Sequence, residues 1–325
     1  MNILATEYMG LNLNNPVILG SCPISMDIMK LKEIEKSGIS AVVLKSLFEE
    51  ELKAQLIGGV KFEHPESFEY YLAEQDFKYS PTKYLEYIRE VKMALDIPVI
   101  ASINCIGSKW WIDYAKGIEE YGADGLELNI SYYSFNKDDN ARNIEQKYIE
   151  LVYSIKKIVD IPVAVKIGYN FTSIPNLVNQ LKGAGADGVV LFNRYYKCGI
   201  NLESVNLEPV LLMSTKEEAY EVLRWVGIIS SQINIDIAAA TGIKDENMIL
   251  QMILAGASAV HIVSSVYEKG FPFIKRLIYK LEKLFESKGY DSIKKIKGDV
   301  FKNRQNLELL ERVQYYKYTS GKFIT

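Results

Sequence analysis

Short apolar runs alternate with longer amphipathic stretches along this chain, and the alternation repeats. Four runs share one form: "SGISAVVLKS" (37–46), "YGADGLELNIS" (121–131), "AGADGVVLFNR" (184–194) and "AGASAVHIVSS" (255–265). In each, a glycine closes a helical pattern, a short turn follows, and a β-rich run finishes in polar residues. A second set interleaves with the first: "NNPVILGS" (14–21), "DIPVIASIN" (96–104), "DIPVAVKIG" (160–168) and "NIDIAAATG" (234–242). Together they predict strands over 16–21, 40–46, 98–104, 125–131, 162–168, 188–194, 235–242 and 259–265. Stretches such as "MDIMKLKEIEKSG" and "PNLVNQLKGAG" supply the helices between them. Near-continuous apolar strands separated by helices are parallel strands covered on both faces. Units of this kind, repeated as far as residue 265, fit an α/β fold of the (β/α)8 TIM barrel type, which takes about 250 residues. A doubly wound open sheet is the competing arrangement. It needs a G-x-G-x-x-G turn after its first strand, and "ILGSCPIS" offers one glycine.

Two connections exceed plain barrel loops. Residues 47–96 contain "KFEHPESFEYYLAEQDFKYSP", and residues 195–214 run "YYKCGINLESVNLEPVLLMS". Both follow strands, on the face where barrels build their sites, so a lid or pocket wall is expected from each. Residues 1–290 are thus expected to form one barrel, and 291–325, charged and rich in tyrosine, a helical tail packed against it.

Composition narrows the function. With 48% hydrophobic and 24% charged residues and a net charge of -3, the chain is ordinary globular protein without the basic field that nucleic acid requires. Its first twenty residues hold no Lys or Arg and no long apolar run, so no signal peptide or membrane span is expected. Cys22, Cys105 and Cys198 lie far apart and form no CxxC pair, which suits a reducing cytoplasm. Cys105 reads as a small buried side chain. With two histidines, His64 and His261, no histidine-based metal site is expected. His261, in mid-strand, reads as a satisfied core residue, while His64 is divided between solvent and a ligand contact.

The predicted strand ends carry the chemistry. They bring Gly20, Ser21, Lys45, Ser46, Asn104, Asn129, Ser131, Lys166, Asn193, Arg194, Thr241, Gly242, Ser264 and Ser265 to one mouth. Glu127, Asn129 and Ser131 alternate along one strand and so share a face that a core strand would fill with apolar residues. The last two strands are where barrels commonly hold phosphate, and "AATGI" and "VSS" suit that use. A lysine near the end of a central strand is costly to keep without an anionic partner. These features describe a phosphorylated planar cofactor lying across the mouth.

"AVVLKS", "LELNIS", "PVAVKIGY", "GVVLFNR", "AATGI" and "AGASAVHIVSSVYEKG", in this order, resemble the flavin-binding barrel of the dihydroorotate dehydrogenase family, over about residues 3 to 298. The resemblance implies a cytoplasmic FMN oxidoreductase acting on a CH–CH bond, with dihydroorotate as the default small-molecule substrate in pyrimidine biosynthesis. No nucleic acid or membrane partner is implied, and homodimers are the family habit. FMN is favoured over FAD because no separate dinucleotide fold is encoded. The resemblance places Gly20 and Ser21 against the flavin by backbone, and Lys45, Ser46, Asn129 and Lys166 on its ring. It places Gly242, Ser264 and Ser265 on the phosphate and Asn193 toward substrate, while Asn104 and Thr241 belong to the same cofactor set.

The substrate half departs from the family pattern. Where the family reads Asn-Leu-Ser-Cys-Pro-Asn, with the Cys or a Ser as base, this chain has Asn129-Ile130-Ser131-Tyr132-Tyr133-Ser134. Tyr132 stands at the base position, and a free tyrosine ionises only near pH 10. Ser131 and Ser134 belong to the expected substrate contacts. Glu66 of "HPES" stands near the lid asparagine that grips orotate, so it would repel an anion. Thr241 replaces the first glycine of a pair. Lys45 joins Tyr132 as a candidate catalytic residue; a non-redox phosphate-binding barrel, such as an aldolase, isomerase or ligand sensor, is the alternative, since Lys166 at a strand tip could form a Schiff base.

Overall fold

The computed structural model describes residues 2–48, 81–104, 108–195, 197–210, 213–303, 310 and 316. The chain opens with an antiparallel hairpin, β1 (Thr6–Tyr8) and β2 (Leu11–Leu13), whose turn places Met9 and Gly10 at positive φ. There follow β3 (Val17–Leu19), α1 (Ile28–Lys36), β4 (Ala41–Val43), β5 (Leu47–Phe48), α2 (Pro81–Ala94), β6 (Val99–Asn104), α3 (Ser108–Glu120), β7 (Gly125–Asn129) and α4 (Ala141–Lys156). The second half contains β8 (Val163–Ile167), α5 (Ile174–Gly183), β9 (Gly188–Leu191), β10 (Lys197–Asn201), β11 (Asn206–Val210), α6 (Lys216–Ser230), β12 (Asp236–Ala239), α7 (Glu246–Ala255), β13 (Ala259–Ile262), α8 (Ser264–Lys269) and α9 (Pro272–Ser287). Two short helices, α10 (Ile293–Ile296) and α11 (Asp299–Lys302), end the described chain.

The parallel strands run β4-β3-β13-β12-β9-β8-β7-β6, and a pairing of β4 with β6 closes the ring. This is a (β/α)8 barrel. Every strand expected from the apolar runs is present but shorter, those ending at Leu19, Val43, Leu191 and Ala239 stopping one or more residues before the polar side chains of the following loops. Asn104 and Asn129 instead end their strands, Lys166 lies inside β8, and Ser264–Ser265 begin α8.

The repeats have a physical meaning. In the two Ala-Asp-Gly copies, Asp124 accepts from Val99 N at 2.7 Å and Asp187 from Val163 N at 2.8 Å. Each also binds the ammonium of a preceding helix, Lys92 or Lys156. The two Asp-Ile-Pro-Val copies offer their first N–H groups to Glu35 of α1 and Glu119 of α3. Gly125 and Gly188 make room for the β1–β2 hairpin, which plugs the barrel: a Cβ at Gly188 would lie 3.0 Å from Met9 Cγ and 3.2 Å from Tyr8 Cε2.

Tyr8, Met9 and Leu13 of the hairpin thereby join Ile18, Val43, Ile100, Val190 and Ala238 inside the barrel, while larger apolar side chains pack between strands and helices. The connection after β9, expected as a pocket wall, forms the β10–β11 hairpin, with Ile200, Leu202, Val205 and Leu207 exposed. The tail from residue 291 folds back on the barrel. Lys297 Nζ lies 3.1 Å from Asp236 Oδ1, and a Cβ at Gly227 would meet the Phe301 ring at 2.4 Å. The expected lid within residues 47–96 lies mostly outside the described residues, as does the tail's end.

Candidate active site at the barrel mouth

Parallel strands present their carboxyl ends to one face, and a hydrogen-bonded row crosses that face. Ser21 Oγ accepts from Ser46 N at 3.0 Å and lies 3.3 Å from Ser46 Oγ, which in turn lies 2.8 Å from Ser102 Oγ. Asn129 Nδ2 donates to Ser46 Oγ at 3.3 Å, and Asn193 Nδ2 donates to Asn129 Oδ1 at 2.9 Å. Strand ends from β3, β4, β6, β7 and β9 are joined in this way. Ser102 was missed by sequence reading because it lies two residues inside its strand. Only its alternation with Asn104 could have marked it.

Gly20 donates its N–H to Ile262 O at 3.2 Å, and a Cβ there would lie 3.0 Å from Val263 Cγ2 and 3.2 Å from His261 Cβ. Any larger residue would push the β3 end away from β13. The main chain of Lys45 is held at both groups, its N–H by Ser25 Oγ at 2.7 Å and its carbonyl by the Tyr84 hydroxyl at 3.2 Å. Asn104 is buried at the end of β6, beside Phe48 of β5.

Below this row lies a charged group. Glu127, 1% exposed, is two residues deeper than Asn129 on the same face of β7. Its Oε1 lies 3.7 Å from Lys166 Nζ and its Oε2 lies 3.8 Å from His261 Nδ1. Lys166 pairs through its Cα with Asn129, so its ammonium occupies the floor of the mouth. The anionic partner that the lysine required is therefore inside the barrel. Burial raises the Glu127 carboxyl, and the nearby Lys166 opposes that rise. His261 is buried as expected but is not satisfied: neither ring nitrogen has a hydrogen-bond partner among the described residues. Burial, then the Lys166 charge, lower its pKa to about 3, so the imidazole is neutral.

At the other side of the mouth, Thr241 and Gly242 both have positive φ, 80° and 77°. A Cβ at Gly242 would fall 2.4 Å from Thr215 O and 2.7 Å from Ala219 N, so this position admits only glycine. Gly242 N donates to Ser214 Oγ at 3.2 Å, and Ser214 Oγ donates to Ser264 Oγ at 3.0 Å. Ser265 Oγ donates to Ile243 O and ties α8 to the loop after β12. Ser214, another buried polar residue not anticipated, thus links the two halves of the expected phosphate cradle.

The loop after β7 divides its residues. Tyr132 packs on the core, with Lys147 Nζ 4.7 Å from its ring centroid, and its N–H donates to the Tyr148 hydroxyl at 3.2 Å. Tyr133 is half exposed and meets the Tyr195 ring edge-to-face at 5.0 Å. Ser134 Oγ donates to Asp139 at 2.8 Å within its own loop, and Ser131 is half-buried. Glu66, His64 and Cys105 lie outside the described residues. Among the described residues no cluster of acidic, histidine and cysteine side chains could hold a metal ion.

The donor set fits a flat heteroaromatic ring edged with carbonyl and nitrogen acceptors. Asn129 and Asn193 each use one amide hydrogen in the row and keep a second, and the Lys166 ammonium has three to share. The Gly242–Ser214–Ser264 chain of hydrogen bonds ends in the Ser264 hydroxyl, whose own proton is left to donate, as a phosphate requires. Both fit a bound flavin nucleotide.

A family model described as dihydroorotate dehydrogenase matches residues 78–285. Among similar proteins, the dihydroorotate dehydrogenase B (NAD(+)) catalytic subunit of Pyrococcus furiosus is 28% identical over 315 residues, covering 90% of this chain and 97% of that protein. The subunit of the same name from Anoxybacillus flavithermus is 25% identical, covering 94% and 99%. That from Methanocaldococcus jannaschii is 28% identical, covering 85% and 91%. The chain belongs to the dihydroorotate dehydrogenase family, and so to the flavin-dependent oxidoreductases rather than to the non-redox phosphate-binding barrels.

Proposed function

We propose that this chain is an FMN-dependent oxidoreductase that oxidises a CH–CH bond of dihydroorotate, or of a closely related compound, at the mouth of the barrel. The observation that carries the reading is the row Ser21–Ser46–Asn129–Asn193 above the Lys166 ammonium, in a chain of this family. Bound FMN supplies the two-electron acceptor for hydride. Ser46, Asn129, Lys45 and Lys166 hold its ring, with Gly20, Ser21 and Asn104 shaping the near wall. Thr241, Gly242, Ser264 and Ser265 hold its phosphate. FMN is preferred to FAD because the phosphate cradle lies within the barrel and the described residues include no separate dinucleotide-binding fold.

Lys166 is the electrostatic contributor: its positive charge favours negative charge developing nearby. Asn193 faces the substrate, with Ser131 and Ser134 on the loop after β7, and Glu66 joins the substrate contacts on the strength of the family resemblance alone. Tyr132 occupies the sequence position of the family's base although its ring packs on the core beside Lys147, and Tyr133 meets Tyr195 edge-to-face next to it. Loss of the usual Cys or Ser leaves proton removal from dihydroorotate slow.

The NAD(+)-linked catalytic subunits among the relatives support electron exit through a partner subunit. The apolar side chains exposed on the β10–β11 hairpin support a protein contact, such as that of a homodimer. No helix among the described residues is long and apolar enough to cross a membrane. The test is anaerobic mixing of purified protein with dihydroorotate while flavin absorbance is followed. A protein that carries no flavin and binds none would end the proposal, and a yellow protein that bleaches slowly supports it.

A further inference from the structure

The charged group under the mouth contains a residue that the proposed reaction does not use. Glu127 is a fully buried carboxylate in a site that must accommodate added negative charge, where an apolar side chain would be cheaper to keep. Its surroundings show what it faces. His261 reaches it from β13 and Lys166 from β8, and its charge acts on the Tyr8 hydroxyl of the N-terminal hairpin. The Tyr8 hydroxyl, both His261 nitrogens and Glu127 Oε1 itself make no hydrogen bond among the described residues, the imidazole is neutral, and the contact with Lys166 at 3.7 Å is an ion pair. Lys166 is therefore the cation Glu127 holds. The Cα of Lys166 is level with Asn129, yet its Nζ lies 3.7 Å from Glu127 Oε1, so the side chain reaches from the mouth toward the deeper carboxylate.

We infer that Glu127 is a positioning residue for Lys166: it fixes the ammonium at the floor of the mouth and offsets its charge, holding the flavin's reduction potential below the value an unopposed lysine would set. The inference rests on the reading that Lys166 lies against the flavin. It deepens that reading by assigning the charge balance of the site to a pair.

The experiment measures the two-electron midpoint potential by equilibration with reference dyes for the wild type, Glu127→Gln, Lys166→Gln and the double variant. Flavin content and thermal unfolding are followed in parallel. Glu127→Gln is expected to raise the ratio of reduced to oxidised flavin about tenfold at fixed potential, about 30 mV for a two-electron couple. Lys166→Gln is expected to lower it by at least as much. Without its cation Glu127 takes up a proton in its apolar surroundings, so adding Glu127→Gln to Lys166→Gln shifts the ratio less than about twofold.

An unchanged potential in Lys166→Gln would refute the placement of Lys166 at the flavin, and with it the reading on which the inference rests. A shift in Lys166→Gln, with Glu127→Gln equal to the wild type or lower, would overturn the inference alone. So would strictly additive shifts in the double variant. If Glu127→Gln does not accumulate folded, Glu127→Asp carries the same test. Its carboxylate is withdrawn by one methylene, so the potential rises, and an unchanged potential again counts against the role.

Discussion

The Asn193 side-chain amide donates to the Asn129 amide oxygen over 2.9 Å, joining the end of β7 to the segment that leaves β9. The two strands are not neighbours, since β8 lies between them. Two asparagines assigned to different ligands, one to cofactor and one to substrate, are thus a single unit. Asn129→Ala should remove a flavin contact and release Asn193 together. Flavin affinity is expected to fall about tenfold, near the value of one well-made hydrogen bond to a partly buried group. Titration of apo-protein with FMN, read by fluorescence quenching, checks this. An unaltered affinity would mean that the row serves the fold and not the cofactor.

Gly242→Ala places a methyl group 2.4 Å from Thr215 O at a φ of 77°. Strain and overpacking together are expected to cost about 2–4 kcal/mol. The same displacement separates Gly242 N from Ser214 Oγ, so phosphate-bearing flavin should be retained poorly after gel filtration while riboflavin binding changes less. Urea unfolding midpoints and flavin occupancy give the two readouts.

His261 makes stability depend on acid. Its folded pKa of about 3 lies below the ordinary 6.5, so between these values the unfolded chain binds the extra proton. Stability is therefore lost as pH falls from 6.5 toward 3, with a slope of about 1.4 kcal/mol per pH unit from this group. Glu127 acts in the opposite sense. Its raised carboxyl contributes stability in acid that is lost as pH rises from its unfolded value of 4.5 through its folded one. His261→Gln should flatten the acid limb of a denaturation profile measured from pH 4 to 7, and an equally steep limb would place the titration elsewhere.

Proton removal is the weak point of the substrate side. General-base help is worth about 10² to 10⁴ in rate, so flavin bleaching by dihydroorotate should be slower than in a protein with Cys or Ser at this position by a factor in that range. Tyr132→Cys combined with Tyr133→Pro and Ser134→Asn is expected to speed it. Stopped-flow absorbance decides the point: fast bleaching that Tyr132→Phe does not diminish would show that the altered loop is no impediment.

At the opposite end of the barrel, Asp236 Oδ2 accepts from Met9 N at 2.9 Å while Oδ1 binds Lys297, tying plug, strand and tail. Lys297→Met is expected to cost about 1 kcal/mol of stability without altering flavin affinity, because the clamp lies away from the mouth. Urea denaturation and an FMN titration separate the two effects.

Local patterning determined a large part of this protein. Apolar runs, glycines and amphipathic stretches report on one segment at a time, and they place every barrel strand, as well as the polar residues Ser21, Ser46, Asn129 and Asn193 that the fold then links. The N-terminal plug escaped notice because its strands are three residues each and its turn is Met9-Gly10 rather than Asn-Gly. Ser102 and Ser214 escaped because a lone serine carries no local signal of what it will meet.

Partnership is what tertiary structure alone decided. Glu127, Lys166 and His261 come from β7, β8 and β13, and β13 is far from the other two in sequence. Periodicity says that each side chain points inward. Pairing of β7 with β8 sets Lys166 beside Glu127, and only closure of the ring brings His261 within 4 Å of the same carboxylate; burial then makes the Glu127 and Lys166 charges depend on each other, while the imidazole stays neutral.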